Sequence, residues 1–282
     1  MSIDPDALPQ IEVYGLSDVG KVREDNQDSI RYFQPDDPAM SFHGHTVALA
    51  DGMGGYEQGG LASATALEVF FDAVYGSTSS QPMPKLKQAV QNANLGVFQK
   101  AQRMGAVRMG TTLTAANLVG SQLFVAHIGD SRLYLVRDGK ATCLTNDHTT
   151  VGDLVRMRVL SPDKVRTHNQ RSILNKCLGI DMFVQPDVTQ FPMQEGDVLI
   201  LCSDGVWAVV QDDEFGKFAG RTPDMETLSR DLITLALDRD SDDNTSVVAV
   251  RVERLANAPA AASQRRGFGL PGFLRNRLSG SS

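Results

Sequence analysis

The sequence predicts an α+β fold in which antiparallel β-sheets are covered by helices. Strand-like segments follow one another directly between residues 111 and 144, whereas apolar residues at helical spacing occur in separate blocks. The dipeptides Gly120-Ser121 and Asp138-Gly139, which are typical of tight turns, join neighbouring strand-like segments. Runs of adjacent strands with helices in separate blocks favour antiparallel sheets over a doubly wound parallel sheet.

The individual elements follow from the spacing of the apolar residues. Apolar residues recur every three or four positions, as on one face of a helix, in 62–73, 86–101 and 225–237. Short runs of apolar and β-branched residues predict the strands, which are 11–14, 46–50, 111–119, 122–128, 132–137, 141–144, 198–202 and 245–252. The polar segment 147–185 fits neither pattern and is predicted to be a helical or irregular excursion.

Composition indicates one globular domain followed by a tail. Of the 282 residues, 41% are hydrophobic and 22% are charged, which excludes global disorder. We predict a single domain over residues 1–254, followed over 255–282 by an Ala/Pro/Ser linker and a short basic tail. The tail interleaves apolar and basic residues, so a flexible tail, a contact with an acidic membrane surface or a partner, and a contact with the body of the protein all stay open.

The charge balance excludes one class of function. The net charge is −7, and the tail carries four Arg and no acid, so residues 1–254 carry −11. A body this acidic is a poor general binder of nucleic acid. The three cysteines are too few and too scattered for a disulfide framework or a zinc site, and we expect small, reduced core residues. With no signal peptide and no transmembrane segment in the sequence, a cytoplasmic protein is expected.

Four aspartates occupy strand ends. Asp51 and Asp204 each end a predicted strand, Asp243 directly precedes another, and Asp130 lies between two more. A single Asp-Gly after a strand is usually a turn. Four such positions predict that carboxylates converge at one edge of the sheets, where they repel one another unless cations compensate. An all-oxygen cluster suits hard divalent ions such as Mg²⁺ or Mn²⁺.

Arg23 and Asp28, which precede Asp51 in the sequence, complete this pattern. Arg23 is a solvated surface charge in isolation, but beside a carboxylate and metal cluster it is a natural bidentate ligand for a phosphate. Asp28 is either a ligand to metal-bound water or a helix N-cap. The glycines that follow Asp51 would let a backbone carbonyl approach a metal ion.

Seven segments, in this order, resemble those of bacterial metal-dependent serine/threonine protein phosphatases, the PPM or type 2C family. They are Ser17-Asp-Val-Gly20 with Val22-Arg-Glu-Asp-Asn-Gln-Asp28, Ala50-Asp-Gly-Met-Gly-Gly55, Met109-Gly-Thr-Thr112, Gly129-Asp-Ser-Arg132, Asp147-His-Thr149, Cys202-Ser-Asp-Gly205 and Asp243-Asn244. Each is weak alone. Together they span roughly residues 11–252, which makes the resemblance specific.

The resemblance implies a β-sandwich of two antiparallel sheets in α-β-β-α layers, with two Mn²⁺ or Mg²⁺ ions at one edge and a weaker third. Residues 147–185 would form a flap beside the site. In the roles that the resemblance implies, Asp51 would bridge the two metals, Asp204 and Asp243 would complete the first, and the carbonyl of Gly52 would bind the second. Asp130, with Asp204, would form the third metal site. Arg23 would bind the substrate phosphate, and Asp28 and Asn244 would be supporting residues.

The implied reaction is hydrolysis of phosphoserine and phosphothreonine in proteins by direct attack of a metal-bridging hydroxide. Gln27 stands where many members carry an acidic residue that holds metal-bound water, so affinity for the second metal is in question. Met53 stands where eukaryotic members often have a His proposed as the general acid. Metal-bound water is the preferred acid here, and His148 and His168 stay open as alternatives.

Two other functions stay open from the sequence. One is a non-catalytic phosphoprotein-binding module of the same fold, and the other is a metal hydrolase of small phosphate esters. For the phosphatase, the expected partners are phosphorylated proteins, namely a bacterial Ser/Thr kinase and its targets, and the expected oligomeric state is a monomer.

Overall fold

The computed structural model describes residues 8–33, 43–54, 57–105 and 109–256. The strands are β1 (Gln10–Asp18), β2 (Asp28–Tyr32), β3 (His45–Gly54), β4 (Met109–Thr111), β5 (Leu113–Val119), β6 (Gln122–Ile128), β7 (Arg132–Arg137), β8 (Lys140–Cys143), β9 (Asp187–Pro192), β10 (Val198–Cys202) and β11 (Thr245–Arg254). The helices are α1 (Glu57–Tyr75), α2 (Pro82–Met104), α3 (Thr150–Arg156), α4 (Asp204–Trp207), α5 (Asp212–Ala219) and α6 (Met225–Asp238).

The strands form two antiparallel sheets. One sheet has the order β1-β11-β10-β7-β8, and the other has the order β2-β3-β5-β6-β9, with β4 paired to the end of β3. In β10, Leu199 and Leu201 pack between the sheets, while Ile200 and Cys202 face the helices on the other side. This period of two gives each sheet one face for the partner sheet and one for helices.

Helices cover both outer faces. Helices α1 and α2 pack on the sheet that contains β3, around a core that includes Phe70, Leu86 and Val97. Helix α6 packs on the sheet that contains β11, with Leu228 and Leu232 in its core. The resulting α-β-β-α layers confirm the predicted fold class.

Three differences from the sequence-based elements have physical reasons. Strand β3 was predicted to stop before Asp51, but it continues to Gly54 because β4 supplies a pairing partner for its last residues. The predicted strand over 111–119 is interrupted at Thr112, where the chain leaves β4 and enters β5. Strands β2 and β9 and helices α4 and α5 were not predicted, because both strands are only partly buried and the two helices are short.

Residues 147–185 form the irregular excursion that was predicted. The segment contains α3 and a 3₁₀ turn over Pro162–Lys164. It returns to the body where Leu178 exchanges backbone hydrogen bonds with Thr111, at 2.8 and 3.1 Å. The flap is therefore joined to the short strand β4.

Other predictions divide as follows. Cys202 is buried as expected, but Cys143 and Cys177 are only half-buried, because one lies on the edge strand β8 and the other in the flap. All three thiols are free; burial raises the pKa of each, to about 11 for Cys177.

Among the helices of the described segments, none is long and apolar enough to cross a membrane. The predicted linker and tail lie almost entirely in 257–282, outside the described residues.

Candidate active site

An open cavity of about 570 Å³ lies at the edge of the sandwich where the aspartate-bearing strand ends meet. The predicted site residues that line it are Arg23, Asp51, Gly52, Asp130, Asp204, Asp243 and Asn244. Asp28 lies behind the wall, opposite Asp51 in the pairing of β2 with β3. The fold thus brings together residues up to 221 positions apart in the sequence.

The backbone of Asp51 is fixed from both sides. Its N–H donates to the Thr112 hydroxyl (2.9 Å), while its carbonyl accepts from the Thr112 N–H (2.8 Å) and from the Thr111 hydroxyl (2.8 Å). These bonds hold Asp51 where its carboxylate reaches the cavity. Thr112, which interrupts the strand between β4 and β5, therefore positions Asp51.

Gly52 sits where no other residue fits. A Cβ atom there would lie 2.1 Å from the Gly59 carbonyl oxygen and 2.7 Å from that of Gln27. The Gly52 N–H donates to the Gln27 carbonyl at 3.1 Å. The first turn of α1 and the residue before β2 therefore pack directly against Gly52 in the cavity wall.

Asn244 ties the loop that carries Arg23 to the start of β11. Its side-chain amide donates to the carbonyls of Val19 (2.8 Å) and Asp25 (3.0 Å), and its Oδ1 accepts from the Gln27 N–H (2.9 Å). The supporting role of Asn244 in the site stays a prediction. Residue 20 in the same loop must be glycine, because its φ is +81° and a Cβ would lie 2.5 Å from the Asp243 carbonyl oxygen.

Arg23 lies at the cavity rim and is paired with a predicted metal ligand. Its Nη2 donates to Asp243 Oδ2 at 2.7 Å, and its Nε donates to the Asp242 carbonyl at 3.3 Å. Partial burial lowers the pKa of Arg23, but Asp243 and the neighbouring acids outweigh this effect and raise it overall. The guanidinium is a permanent positive charge at the mouth of an acidic cavity.

The carboxylates around the cavity repel one another. Removal from bulk water, followed by mutual repulsion, raises the pKa of Asp204 to about 7 and holds the pKa of Asp51 and Asp130 well above the usual range. The pKa of Asp28 rises to about 6, chiefly through burial, although Ser246 and Ser203 act in the opposite direction. A cluster with these properties attracts compensating positive charge.

Asp28 shows the same need for a partner. It is the first residue of β2, so the alternative of a helix N-cap is wrong. Both of its carboxylate oxygens are buried, and no donor meets hydrogen-bond geometry with either of them, although the Ser246 and Ser203 hydroxyls lie near enough to lower its pKa. A buried carboxylate with such incomplete hydrogen bonding, beside other acids, fits a position that supports a cation.

The donor set fits hard divalent cations, since it consists of carboxylate and carbonyl oxygens. Within the described ranges, no three acidic, histidine or cysteine side chains are already close enough to enclose an ion. The carboxylates are gathered around the cavity but not closed into a cage.

Neither histidine considered as a general acid lines the cavity. His148 is 2% exposed, stacks on His127 with ring centroids 4.9 Å apart, and accepts the Gly129 N–H on Nδ1 at 3.1 Å. Burial lowers the pKa of His148, although the Asp187 carboxylate, 3.3 Å from Nε2, acts in the opposite direction. His168 accepts a hydrogen bond from the Gln170 N–H within the flap.

Sequence reasoning missed several cavity residues. Glu24 and Asp25 add further acids to the rim, and Ser172 and Leu174 reach it from the flap. Arg171 lies close enough to lower the pKa of Asp204. An Arg in an irregular segment gives no periodic signal, so only the return of the flap to the body reveals its position.

Comparison with known proteins decides the family. Residues 21–235 match the family "Protein phosphatase 2C". The chain belongs to this family. A serine/threonine phosphatase of Listeria monocytogenes is 31% identical over 239 residues, which are 83% of this chain and 93% of that protein.

Two solved structures agree with this assignment. The Mycobacterium tuberculosis serine/threonine phosphatase PstP/Ppp has a TM-score of 0.77 at 33% identity, over 86% of this chain and 99% of that one. A PstP catalytic domain in complex with two manganese ions has a TM-score of 0.74 at 31% identity, over 86% of this chain and 98% of that one. The predicted family, fold and activity of a metal-dependent serine/threonine protein phosphatase are confirmed.

Proposed function

We propose that this phosphatase hydrolyses phosphoserine and phosphothreonine in proteins with two divalent cations held by Asp51, Asp204, Asp243 and the carbonyl of Gly52. One observation carries the proposal, namely that these groups line a single cavity together with Arg23. A PstP structure with two manganese ions supports the same number of cations here.

The cations and the residues of the chain have separate tasks. When bound, a pair of divalent cations supplies activation of water and neutralisation of phosphoryl charge. Asp51, on its fixed backbone, holds the centre of the site, and Asp204 and Asp243 close one side. Arg23 binds the phosphoryl oxygens at the rim, where its fork of N–H donors matches their geometry.

The identity and number of the cations are part of the proposal. Mn²⁺ and Mg²⁺ both accept this oxygen donor set. Asp130 and Asp204 would hold a weaker third ion, since both carboxylates line the cavity and burial, followed by repulsion from Asp204, raises the pKa of Asp130. Gln27 lines the cavity and keeps a hydrogen-bond acceptor without a charge.

The substrates and assembly follow from the same chemistry. Proteins that carry phosphoserine or phosphothreonine are products of a Ser/Thr protein kinase, so we expect such a kinase and its targets to be the partners. We expect the phosphatase to act as a monomer, because all proposed site residues come from one chain.

The test is phosphate release from a phosphothreonine peptide, a phosphoserine peptide and p-nitrophenyl phosphate. The full chain is assayed with Mn²⁺, with Mg²⁺ and with EDTA, beside Asp204→Asn and the control Asp213→Asn, which changes an exposed acid on α5. We expect turnover with either metal, none with EDTA, and a loss of about a thousandfold or more in Asp204→Asn only.

Other outcomes would favour the alternatives. Tight phosphopeptide binding without turnover at saturating Mn²⁺ would support a non-catalytic binding module. Turnover of small esters with none on either phosphopeptide would support a small-ester hydrolase. Activity that persisted in both EDTA and Asp204→Asn would refute the proposed metal chemistry.

A further inference from the structure

The flap ends in an exposed group of large apolar side chains. Ile180, Met182 and Phe183, here called the apolar patch, are 44%, 51% and 79% exposed. Phe183 is the most exposed large hydrophobic side chain in the described ranges. Single exposed apolar residues are ordinary, but three within four positions form a surface that needs an explanation.

The backbone beneath the apolar patch is held firmly. Asn94 of α2, which is fully buried, donates from Nδ2 to the carbonyls of Asp181 (2.9 Å) and Met182 (3.1 Å). Gln91 donates to the Met182 carbonyl (3.0 Å) and accepts the Val184 N–H (3.2 Å). Because amide side chains fix the backbone, the exposed side chains are presented on an ordered support, which lowers the entropy cost of binding.

The apolar patch is continuous with the cavity. A Cβ atom on Gly110 of β4 would lie 3.3 Å from Ile180 Cδ1 and 3.3 Å from Met53 Sδ, so these two side chains flank the same point. Met53 lines the cavity. An apolar surface therefore runs from the cavity wall, past Gly110, to the patch.

The distance suits a peptide. Leu178 is hydrogen-bonded to Thr111, whose neighbour Thr112 lines the cavity. Phe183 follows five residues later, so it lies at most about 18 Å from Leu178. A substrate segment with its phosphorylated residue in the cavity covers that distance within about five residues.

We propose that the apolar patch binds an apolar side chain of the phosphoprotein substrate, within about five residues of the phosphorylated Ser or Thr. This inference rests on the proposed function. It predicts that the phosphatase prefers substrates with an apolar residue near the phosphorylated position. This preference should act on binding of the substrate rather than on the rate of its hydrolysis.

The experiment uses the full chain with Mn²⁺ and a set of phosphothreonine peptides. Each peptide pair carries either Leu or Ser at one position, from five residues before the phosphothreonine to five residues after it. We expect at least one position at which Leu raises kcat/KM by about fivefold, mainly through KM, as partial burial of a leucine side chain implies. The double variant Met182→Ser/Phe183→Ser should reduce that ratio to less than about twofold.

A matched control and three outcomes keep the test decisive. Met157→Ser changes a side chain that is 72% exposed elsewhere in the flap, and it should keep the wild-type ratio. The absence of a Leu preference in the wild type, or its survival in the double variant, would overturn the inference. A change of sedimentation in the double variant would assign the patch to a second copy of the chain and would also overturn it.

Failure of the inference is separable from failure of the proposed function. If all peptides are hydrolysed equally, only the apolar patch is excluded as a binding surface. If no peptide is hydrolysed while p-nitrophenyl phosphate is, the assignment of protein substrates fails.

Discussion

Asp130 and Arg132 are two residues apart, but Asp130 lies among carboxylates that repel one another, whereas Arg132 lies in a buried ion pair. Around the cavity, burial and then repulsion from neighbouring carboxylates raise the pKa of Asp51, Asp130 and Asp204. Behind it, Arg132 is buried and fully engaged: Nε and Nη2 donate to the Asp147 carboxylate at 3.0 and 2.7 Å, and the guanidinium stacks 3.7 Å from the ring centre of Trp207.

Trp207 joins the two regions. Its indole N–H donates to the Asp130 carbonyl at 2.9 Å, so the paired region supports the backbone of the unpaired one. A buried charge leaves its partner uncompensated when it is removed, whereas like charges that lack partners are available to a ligand. This contrast predicts that substitutions in the cavity reduce activity with little cost in stability, and that substitutions at the pair do the reverse.

The largest expected effect is on activity. Asp51→Asn removes a central carboxylate while keeping its size, so we expect kcat to fall by about a thousandfold or more. Thermal unfolding in EDTA should show no loss of stability, because the substitution removes a repelling charge. A variant that lost stability and activity together would contradict the contrast between the regions.

The second effect is on stability. Asp147→Asn leaves the buried Arg132 without its carboxylate, and breaking a buried ion pair costs about 3–5 kcal/mol. We expect the melting temperature to fall by roughly 10 °C. The control is Asp213→Asn, which breaks an exposed pair with Lys217 and should leave the melting temperature almost unchanged. Equal effects from the two substitutions would show that Arg132 has other compensation.

The third effect concerns Arg23 at the rim of the cavity. Arg23→Ala should lower kcat/KM by about a hundredfold, and Arg23→Lys by less, because Lys keeps the charge but loses the planar fork. The control is Arg103→Ala on the exposed end of α2. Equal activity of Arg23→Lys and wild type would mean that only the charge matters.

The smallest effect is on the pH dependence of stability without metal. The folded-state pKa of Asp204 is raised to about 7, so the folded protein holds this proton more tightly than the unfolded chain, and stability falls as pH rises from about 4 to 7. Asp204→Asn is expected to stabilise the EDTA-treated protein by at least about 1 kcal/mol at pH 8 and by less at pH 5.

Thermal denaturation of both proteins at the two pH values measures this difference. The comparison between variant and wild type is needed because His127, whose pKa is lowered to about 4 chiefly by burial, acts in the opposite direction and loses stability as pH falls below about 6.5. An equal effect of Asp204→Asn at both pH values would contradict the raised pKa.

Several parts of the fold could be read from the sequence because they depend on local patterns. The hairpin at Asp138-Gly139 has φ of +52° and +72°, as expected for a turn of this composition. Strands β6, β7 and β10 have the predicted ends. Aspartates placed at strand ends, together with the family motifs, were sufficient to name Arg23, Asn244 and four aspartates of the cavity, but not the further acids at its rim or the flap residues.

Other parts depended on contacts between distant segments. The extension of β3 beyond Asp51 requires β4, which lies 55 residues later in the chain. The position of Arg171 depends on the path of the flap, and the burial of Asp28 depends on the strands that surround it. None of these features produces a periodic pattern of residues in the sequence around it.

The alternation of apolar residues that builds the layers and the order of the motifs that defines the family are both present in the linear chain. Which charges are satisfied within the protein and which face the cavity depends on how the chain folds. Hydrophobic periodicity is a local property of the chain. The energy of a charge, in contrast, depends on its solvent exposure and on neighbours from any part of the sequence.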